Sequence, residues 1–428
     1  MRRLLVVGAG PAGIEMALEA VHSGKFDVTV VETGSQVAAN VRSWGHVRFF
    51  SPWELNMSAL GAKTLGKVPD PAAYPTGLEF VEAYLEPLAA HLEASGHCKI
   101  LLSTSVVSIG RGHLLKGDLG SSLRAAQRFR VLLSESSGGE KVVEADVVVD
   151  ASGTYGNGNH LGMGGLPAVG ERGCADRIER LIPDVLAQPA KYLGKQTLIV
   201  GAGYSAVTTL SKLVELARMH PEVTVNVVWA TRRPPGPVYD RIPNDSLPQR
   251  DVLAALGNQL AVNPTSAGCP ENFLFKHVGH VQLTALQPSE ADPARTTVHF
   301  ERLPAPEAPA GAPQEDELFQ MDVDNVVSNT GYRPDSLIFQ ELQVHQCYAS
   351  EGPMKLAAAL LAASGAGSAD CLAQVSPGPQ TLMNPEPNFF IIGMKSYGRG
   401  SKFLLKIGQE QVTSIAELLS LSGSNSSD

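Results

Sequence analysis

The chain has 428 residues, 43% of them hydrophobic, with 42 glycines, 29 prolines and a formal charge of −9. That length allows two or three domains with cores of their own, and the composition suits a loop-rich α/β enzyme and excludes a disordered or fibrous chain. The negative charge, with no basic block interleaved with aromatics, excludes a nucleic-acid binder.

No run reaches the ~18 consecutive apolar residues of a membrane span. Met1-Arg2-Arg3-Leu4 opens like a secretory leader, but the apolar run breaks at Gly8 and is needed as the first strand of a motif. No targeting segment is read, and a cytoplasmic protein is expected. The cysteines at 98, 174, 269, 347 and 371 form no CxxC and no metal-ligand spacing, so neither a dithiol centre nor a metal site is expected.

In chain order, Leu4 to Val7 reads as a strand and Gly8-Ala9-Gly10-Pro11-Ala12-Gly13 as a tight turn, with Ile14, Met16-Ala17-Leu18 and Ala20-Val21 at helical spacing behind it. A second strand, Val28 to Val31, ends at Glu32, 19 residues beyond Gly13, where a carboxylate can accept hydrogen bonds from a ribose. Gly8 makes the turn, Gly10 admits the pyrophosphate and Gly13 lets helix and strand pack. This is an adenine-dinucleotide site, of FAD or NAD.

Trp44 to Met57 has neither period but gathers two of the three tryptophans with His46, Arg48 and Asn56. Beside a planar cofactor, Trp44 can stack, Asn56 and Arg48 are the leading catalytic candidates, and His46 is a weaker substrate candidate. Residues 57 to 77 read as loop and Leu78 to Ser95 as a helix stopped at Gly96 and bent at Pro87. Ile100 to Ile109, Phe129 to Leu133 and Glu140 to Val149 read as strands, the last running into Ser152 and Gly153, where backbone can approach a ligand.

After a Pro/Gly-rich crossing over 156 to 194 the opening pattern returns: strand Gln196 to Val200, turn Gly201-Ala202-Gly203-Tyr204-Ser205-Ala206, helix Val207 to Ala217, strand Val223 to Trp229. The acid is replaced by Ala230-Thr231-Arg232-Arg233. Two guanidiniums without a carboxylate suit the 2′-phosphate of NADP. The division of labour is FAD held in the first site and NADPH visiting the second, with hydride passing between their rings.

The expected fold is α/β, an FAD-binding Rossmann-like domain (1–165 and 326–428) with an inserted second Rossmann-like NADP-binding domain (166–325). Arg250 to Leu260 reads as a helix, His277 and His280 as part of a loop or hairpin, and Leu303 to Asp316 as a flexible excursion. Val323 to Val327 is a strand leading back through Gly331, a further cofactor contact. Met354 to Ala363 is a helix, Gly365 to Gly378 a small-residue loop, and Pro387 to Gly393 a last strand whose Gly393 end faces the cofactor. Lys395 and Tyr397 follow as weak substrate candidates, then a helix from Phe403 to Leu419 and a frayed tail.

These motifs, with Thr330-Gly331-Tyr332-Arg333-Pro334 and Phe390-Ile391-Ile392-Gly393, resemble the two-dinucleotide-binding-domain flavoproteins. The likeness is greatest to class B monooxygenases, the flavin-containing and N-hydroxylating enzymes, and to FAD-dependent oxidoreductases of uncharacterised activity. The resemblance implies that NADPH reduces the flavin and that O2, added at its C4a position as a (hydro)peroxide, gives one oxygen atom to a small nitrogen or sulfur nucleophile. It also implies that Asn56 holds the oxygenated flavin.

The chain departs from that branch in having His160-Leu161-Gly162-Met163-Gly164-Gly165 where the FxGxxxHxxx fingerprint belongs, and from the disulfide reductases in lacking paired cysteines and in having Gly393-Met394 for Gly-Asp. Two alternatives remain: a flavin reductase or dehydrogenase serving a quinone or protein acceptor, and a non-enzymatic redox-sensing flavoprotein. A homodimer stays open.

Overall fold

A computed structural model describes residues 1–303, 318–365 and 377–421. The expected excursion, small-residue loop and frayed tail fall largely on the segments outside these. The chain divides into two compact units, 1–157 with 332–428, and 158–331. The crossings thus lie at 157 and 331 rather than at 165 and 325.

The first leg holds strand β1 (Arg2–Val7), the helix Pro11–His22, and strands β2 (Phe26–Val31), β3 (Cys98–Leu101), β4 (Thr104–Arg111), β5 (Phe129–Glu135), β6 (Glu140–Ala145) and β7 (Val147–Asp150). The inserted unit holds β8 (Ile178–Glu179), β9 (Gln196–Val200), the helix Tyr204–Met219, β10 (Val225–Ala230), β11 (Phe273–Val278), β12 (Val281–Pro288), β13 (Thr296–Arg302), β14 (Phe319–Val323) and β15 (Asn325–Ser328). The return leg adds β16 (Phe389–Ile391) and the helix Leu405–Leu421.

Each unit is built on a five-stranded parallel sheet, in the order β16-β7-β1-β2-β3 in the first and β11-β10-β9-β15-β8 in the second, and each adds a three-stranded antiparallel sheet. In both, the strand after the glycine turn's helix pairs on one side of the central strand and a later strand on the other. That leaves a topological switch point at the central strand's C-terminal end, where ligands bind in this architecture.

The strands read as continuous apolar runs because both faces are covered. Leu4 and Val6 enter one core with Ile14, Ala17 and Leu18 of the following helix, while Leu5 and Val7 enter another with Ile109, Val131 and Phe389.

Several elements depart from the sequence reading. Residues 57 to 77 include a helix, Ala59–Leu65, capped by the Ser58 hydroxyl. The 78–95 helix contains a π turn, Val81–Leu85, just ahead of Pro87. Pro87 has no N–H and its ring crowds the carbonyl four residues back, and the wider turn absorbs both. The strand expected over 100–109 is two strands, broken where Ser103 has φ +49°.

The strands expected over 140–149 and 323–327 each split at an aspartate. Asp146 accepts the Arg3 N–H at 2.7 Å and Asp324 the Gln196 N–H at 2.8 Å. In each unit the chain therefore leaves the antiparallel sheet and joins the parallel one beside the central strand.

Candidate functional site

The first turn, Gly8 to Gly13, joins β1 to its helix. Gly8 has φ +97°, and a Cβ there would lie 2.8 Å from the Ala151 carbonyl oxygen; a Cβ on Gly13 would run into the carbonyl of Gly8. Around a Cβ on Gly10 nothing lies within 4 Å. Packing thus requires the outer glycines, and the middle one leaves room for a phosphate. The helix starts at Pro11 with no side-chain cap, so the first-turn N–H groups around Ala12 and Gly13 and the positive end of its dipole are left for an anion. Glu32 accepts the N–H of Ala9 and of Gly34, each at 2.8 Å. A carboxylate has about four acceptor positions, so capacity remains for ribose hydroxyls.

Two further ends of the same sheet meet this turn. Ala151 donates to the Val7 carbonyl at 2.9 Å, which brings Ser152 and Gly153 beside Gly8; Gly153 has φ +70° and open space at its Cβ position. Gly393 also has positive φ, and a Cβ there would lie 3.2 Å from the Cβ of Ala12. Its N–H is held by Gln411 of the C-terminal helix at 2.9 Å. Lys395 is buried, ion-paired with the buried Asp150 at 2.6 Å and donating to the Ser152 hydroxyl at 2.9 Å. Its ammonium is therefore engaged within the fold. Tyr397 is buried edge-on to Phe403.

The aromatic loop is placed differently from its expected role. Asn56 is buried and gives its amide hydrogens to the carbonyls of Ser51 (3.0 Å) and Pro52 (2.8 Å), while its oxygen accepts from the Ser51 hydroxyl at 2.8 Å. Both amide hydrogens are thus engaged within its own loop. Arg48 is exposed, donating to the Tyr74 carbonyl with Glu79 3.9 Å away. Trp44 packs on Phe49 and lies near-parallel to Tyr155, two residues beyond Gly153, at a ring separation of 6.4 Å. His46 has a buried Nε2 with no hydrogen-bond partner among the described residues.

The second turn repeats the first. Gly201 has φ +126° and a Cβ would run into the Asn329 carbonyl, whereas Gly203 faces open space. The helix from Tyr204, with Ser205 and Ala206 in its first turn, again lacks a side-chain cap. Two aromatic side chains brace the turn from below: Trp229 Nε1 donates to the Gly201 carbonyl at 2.7 Å and the Tyr239 hydroxyl to that of Gly203 at 2.9 Å.

Gly201 donates to the Ala230 carbonyl as Gly8 does to that of Val31, so Thr231 occupies the position of Glu32. Thr231 is buried with its hydroxyl 2.9 Å from His277 Nε2, and burial lowers the His277 pKa from its ordinary value. Arg232 and Arg233 follow, both exposed; Arg233 lies 3.8 Å from Asp240. Gly331 has φ +83° and its carbonyl accepts from Asn159 at 3.0 Å.

Sequence reasoning missed the Thr231–His277 contact, the Trp229 and Tyr239 braces and the Asp150–Lys395 pair. His277, expected in a loop or hairpin, lies on strand β11, where it alternates with Phe273 and Phe275. The other three join residues far apart in sequence.

The family model described as pyridine nucleotide-disulphide oxidoreductase matches residues 2–242, more than half the chain. The chain belongs to this family. It is an oxidoreductase, and its fold is that of the FAD- and NAD(P)-binding Rossmann-type enzymes, as the resemblance to two-dinucleotide-binding-domain flavoproteins implied. No curated protein matches it in sequence.

Among solved structures, it is similar to the bacillithiol disulfide reductase of Bacillus cereus (TM-score 0.65, 15% identity, 98% of this chain and 99% of that one). It is also similar to the ornithine N-hydroxylase of Kutzneria sp. 744 (0.58, 15%, 98% and 100%) and to the cadaverine monooxygenase of Erwinia amylovora (0.59, 13%, 98% and 94%). These likenesses show the fold.

Cys98, Cys174, Cys269 and Cys347 are free thiols. Burial pushes the Cys98 thiol up to about 12, while hydrogen bonds from Ser350 hold Cys347 below the ordinary range. Cys347 lines a cavity of about 540 Å³ in the first unit with Asn157, Arg333, Leu337, Gln346 and Glu351. Among the described residues no helix is long and apolar enough to cross a membrane.

Proposed function

We propose that this oxidoreductase is an NADPH-dependent FAD monooxygenase that transfers one oxygen atom from O2 to a small nitrogen or sulfur nucleophile. The observation that carries the cofactor part is the contrast between two like turns, one ending in Glu32 and the other in Thr231-Arg232-Arg233. FAD lies along Gly8, Gly10, Pro11, Ala12 and Gly13, with Glu32 on its adenosine ribose and the main chain of Ser152, Gly153 and Gly393 towards its ring. NADPH lies along Gly201, Gly203, Tyr204, Ser205 and Ala206, with Arg232 and Arg233 on the 2′-phosphate. The open space at Gly10, Gly153 and Gly203 fits such ligands. When bound, FAD supplies the redox chemistry; the protein binds, orients and excludes water.

Oxygen transfer needs no nucleophilic side chain, and the sequence offers no closely spaced cysteine pair of the CxxC kind to carry electrons to a disulfide. Small amines, the substrates named for two of the similar structures, belong to the proposed substrate class. One observation favours a second reading, electron transfer to a quinone or protein acceptor without oxygenation. The amide hydrogens of Asn56 are both committed to its own loop.

Anaerobic reduction by NADPH followed by rapid mixing with O2 separates the two. A monooxygenase gives an absorbance distinct from oxidised and reduced flavin that persists with NADP bound. Immediate reoxidation to peroxide, with stoichiometric reduction of an added quinone, supports the second reading. Failure of NADPH to reduce the flavin leaves the redox-sensor alternative.

A further inference from the structure

Asp150 ends β7 with its carbonyl accepting the Ile392 N–H at 2.9 Å. Its side chain follows the alternation of the strand: Val147 and Val149 face one core, so Asp150 falls with Val148 on the other, an apolar layer of Val7, Ile391 and Phe339. A carboxylate in such a layer is costly unless paired. Its cation comes from Lys395, and the ammonium also lies 5.3 Å from the centre of the Phe339 ring.

Ser152 completes the cluster. Its hydroxyl donates to Asp150 Oδ1 at 2.7 Å and accepts from Lys395 at 2.9 Å, and its N–H donates to the same carboxylate at 3.1 Å. Both roles of the hydroxyl are filled, so Ser152 turns its side chain inward and leaves Gly153 to continue the turn beside Gly8. Lys395 itself rides on a fixed support. Ser396 donates to the Gly393 carbonyl at 2.7 Å, and Gln411 holds both the Ser396 hydroxyl and the Gly393 N–H, each at 2.9 Å. Two stretches expected to meet the cofactor, Ser152-Gly153 and Gly393, are thus held in one register through a side chain 243 residues from Ser152.

We propose that Lys395 is a positioning residue for FAD: its clamp on Asp150 and Ser152 sets the main chain of Ser152 and Gly153 against which the dinucleotide rests. The proposal rests on reading the first unit as the FAD site. A purely structural ion pair would stabilise the fold equally well, and the two differ in what happens when both charges are removed together.

The test titrates FAD into flavin-stripped full-length protein, following flavin fluorescence and the visible absorption bands, beside thermal unfolding of each protein in its flavin-free form. Lys395→Met alone leaves Asp150 buried without a cation and loses both stability and flavin. The double variant D150N/K395M removes the charge pair as a unit; its melting temperature returns toward that of the native protein while FAD binding stays at least about 10-fold weaker, with altered absorption bands. A double variant that binds FAD as tightly as the native protein overturns the positioning role. Native protein that takes up no FAD overturns the reading of the first unit, and the positioning role with it.

Discussion

The two glycine turns share a plan and differ at the places that choose a ligand. Each joins a central parallel strand to an uncapped helix, each has a first glycine that no other residue could replace without a collision, and each has a middle glycine facing open space. In the first unit the third position must be glycine because the helix lies against the Gly8 carbonyl; in the second it is Ala206, buried without such a collision. At the end of the next strand, Glu32 locks the first turn by accepting the Ala9 N–H, while Thr231 turns to His277 and leaves the second turn to be braced by Trp229 and Tyr239. The common plan suits a dinucleotide site, and on the proposed reading the residues after the second strand decide which dinucleotide.

Damage to one turn at a time separates the two sites most clearly. Gly13→Ala forces a Cβ into the Gly8 carbonyl and is expected to abolish flavin retention, read as absorbance per mole of purified protein. Gly201→Ala forces one into the Asn329 carbonyl and is expected to abolish reduction by NADPH while flavin stays bound. Loss of flavin in the second variant would show that the sites do not divide as described.

The next largest effect concerns a buried glutamate in each unit. Burial alone would raise the Glu386 pKa, but Arg124, the Gln343 N–H and Arg111 hold it below the ordinary 4.5; in the second unit Arg180 and the N–H groups of Ala168 and Leu161 do the same for Glu171. A folded-state pKa below the unfolded one adds stability that is complete above about pH 4.5 and is lost as the pH falls through the folded value. Glu386→Gln leaves two buried arginines without their anion and is expected to cost about 3–5 kcal/mol at pH 7. It should also flatten the acid limb of a melting-temperature profile between pH 7 and 3. An unchanged acid limb would place the loss elsewhere.

A smaller effect follows from Glu32→Ala, which removes a charged acceptor from two backbone N–H groups and from the proposed ribose contact. About 1.5–3 kcal/mol of FAD affinity is expected to go, measured by titration of stripped protein. The smallest effect is at His277. Because burial lowers its pKa, its neutral form is the folded one, and its contribution is full above pH 6.5 and lost as the pH falls. His277→Gln is expected to remove an acid-side rise in KM for NADPH worth about 0.5–1.5 kcal/mol. No change in that profile would leave the Thr231 contact without a part in the site.

Much of the first turn was legible because it is local: Gly8, Gly10 and Gly13 carry their reasons within a stretch of strand, turn and helix, and Glu32 sits at a fixed spacing. The second turn followed as a repeat of it. What was not legible depends on partners distant in sequence. Asp146 and Asp324 interrupt apolar runs and were read through as single strands, since only the pairing of their carboxylates with Arg3 and Gln196 reveals the change of sheet. Asn56 carries an amide that looks available until its own loop is folded, and Lys395 reads as a weak substrate candidate until Asp150 arrives from the far end of another strand.

On the proposed reading the second unit selects its dinucleotide through Arg232 and Arg233. The most direct measurement is anaerobic reduction of the bound flavin by NADPH and by NADH in the native protein and in Arg232→Ala/Arg233→Ala. The native protein should prefer NADPH, and the double variant should lose that preference through weaker NADPH binding, with flavin content and the NADH rate unchanged. An unaltered NADPH-to-NADH ratio in the variant would contradict it.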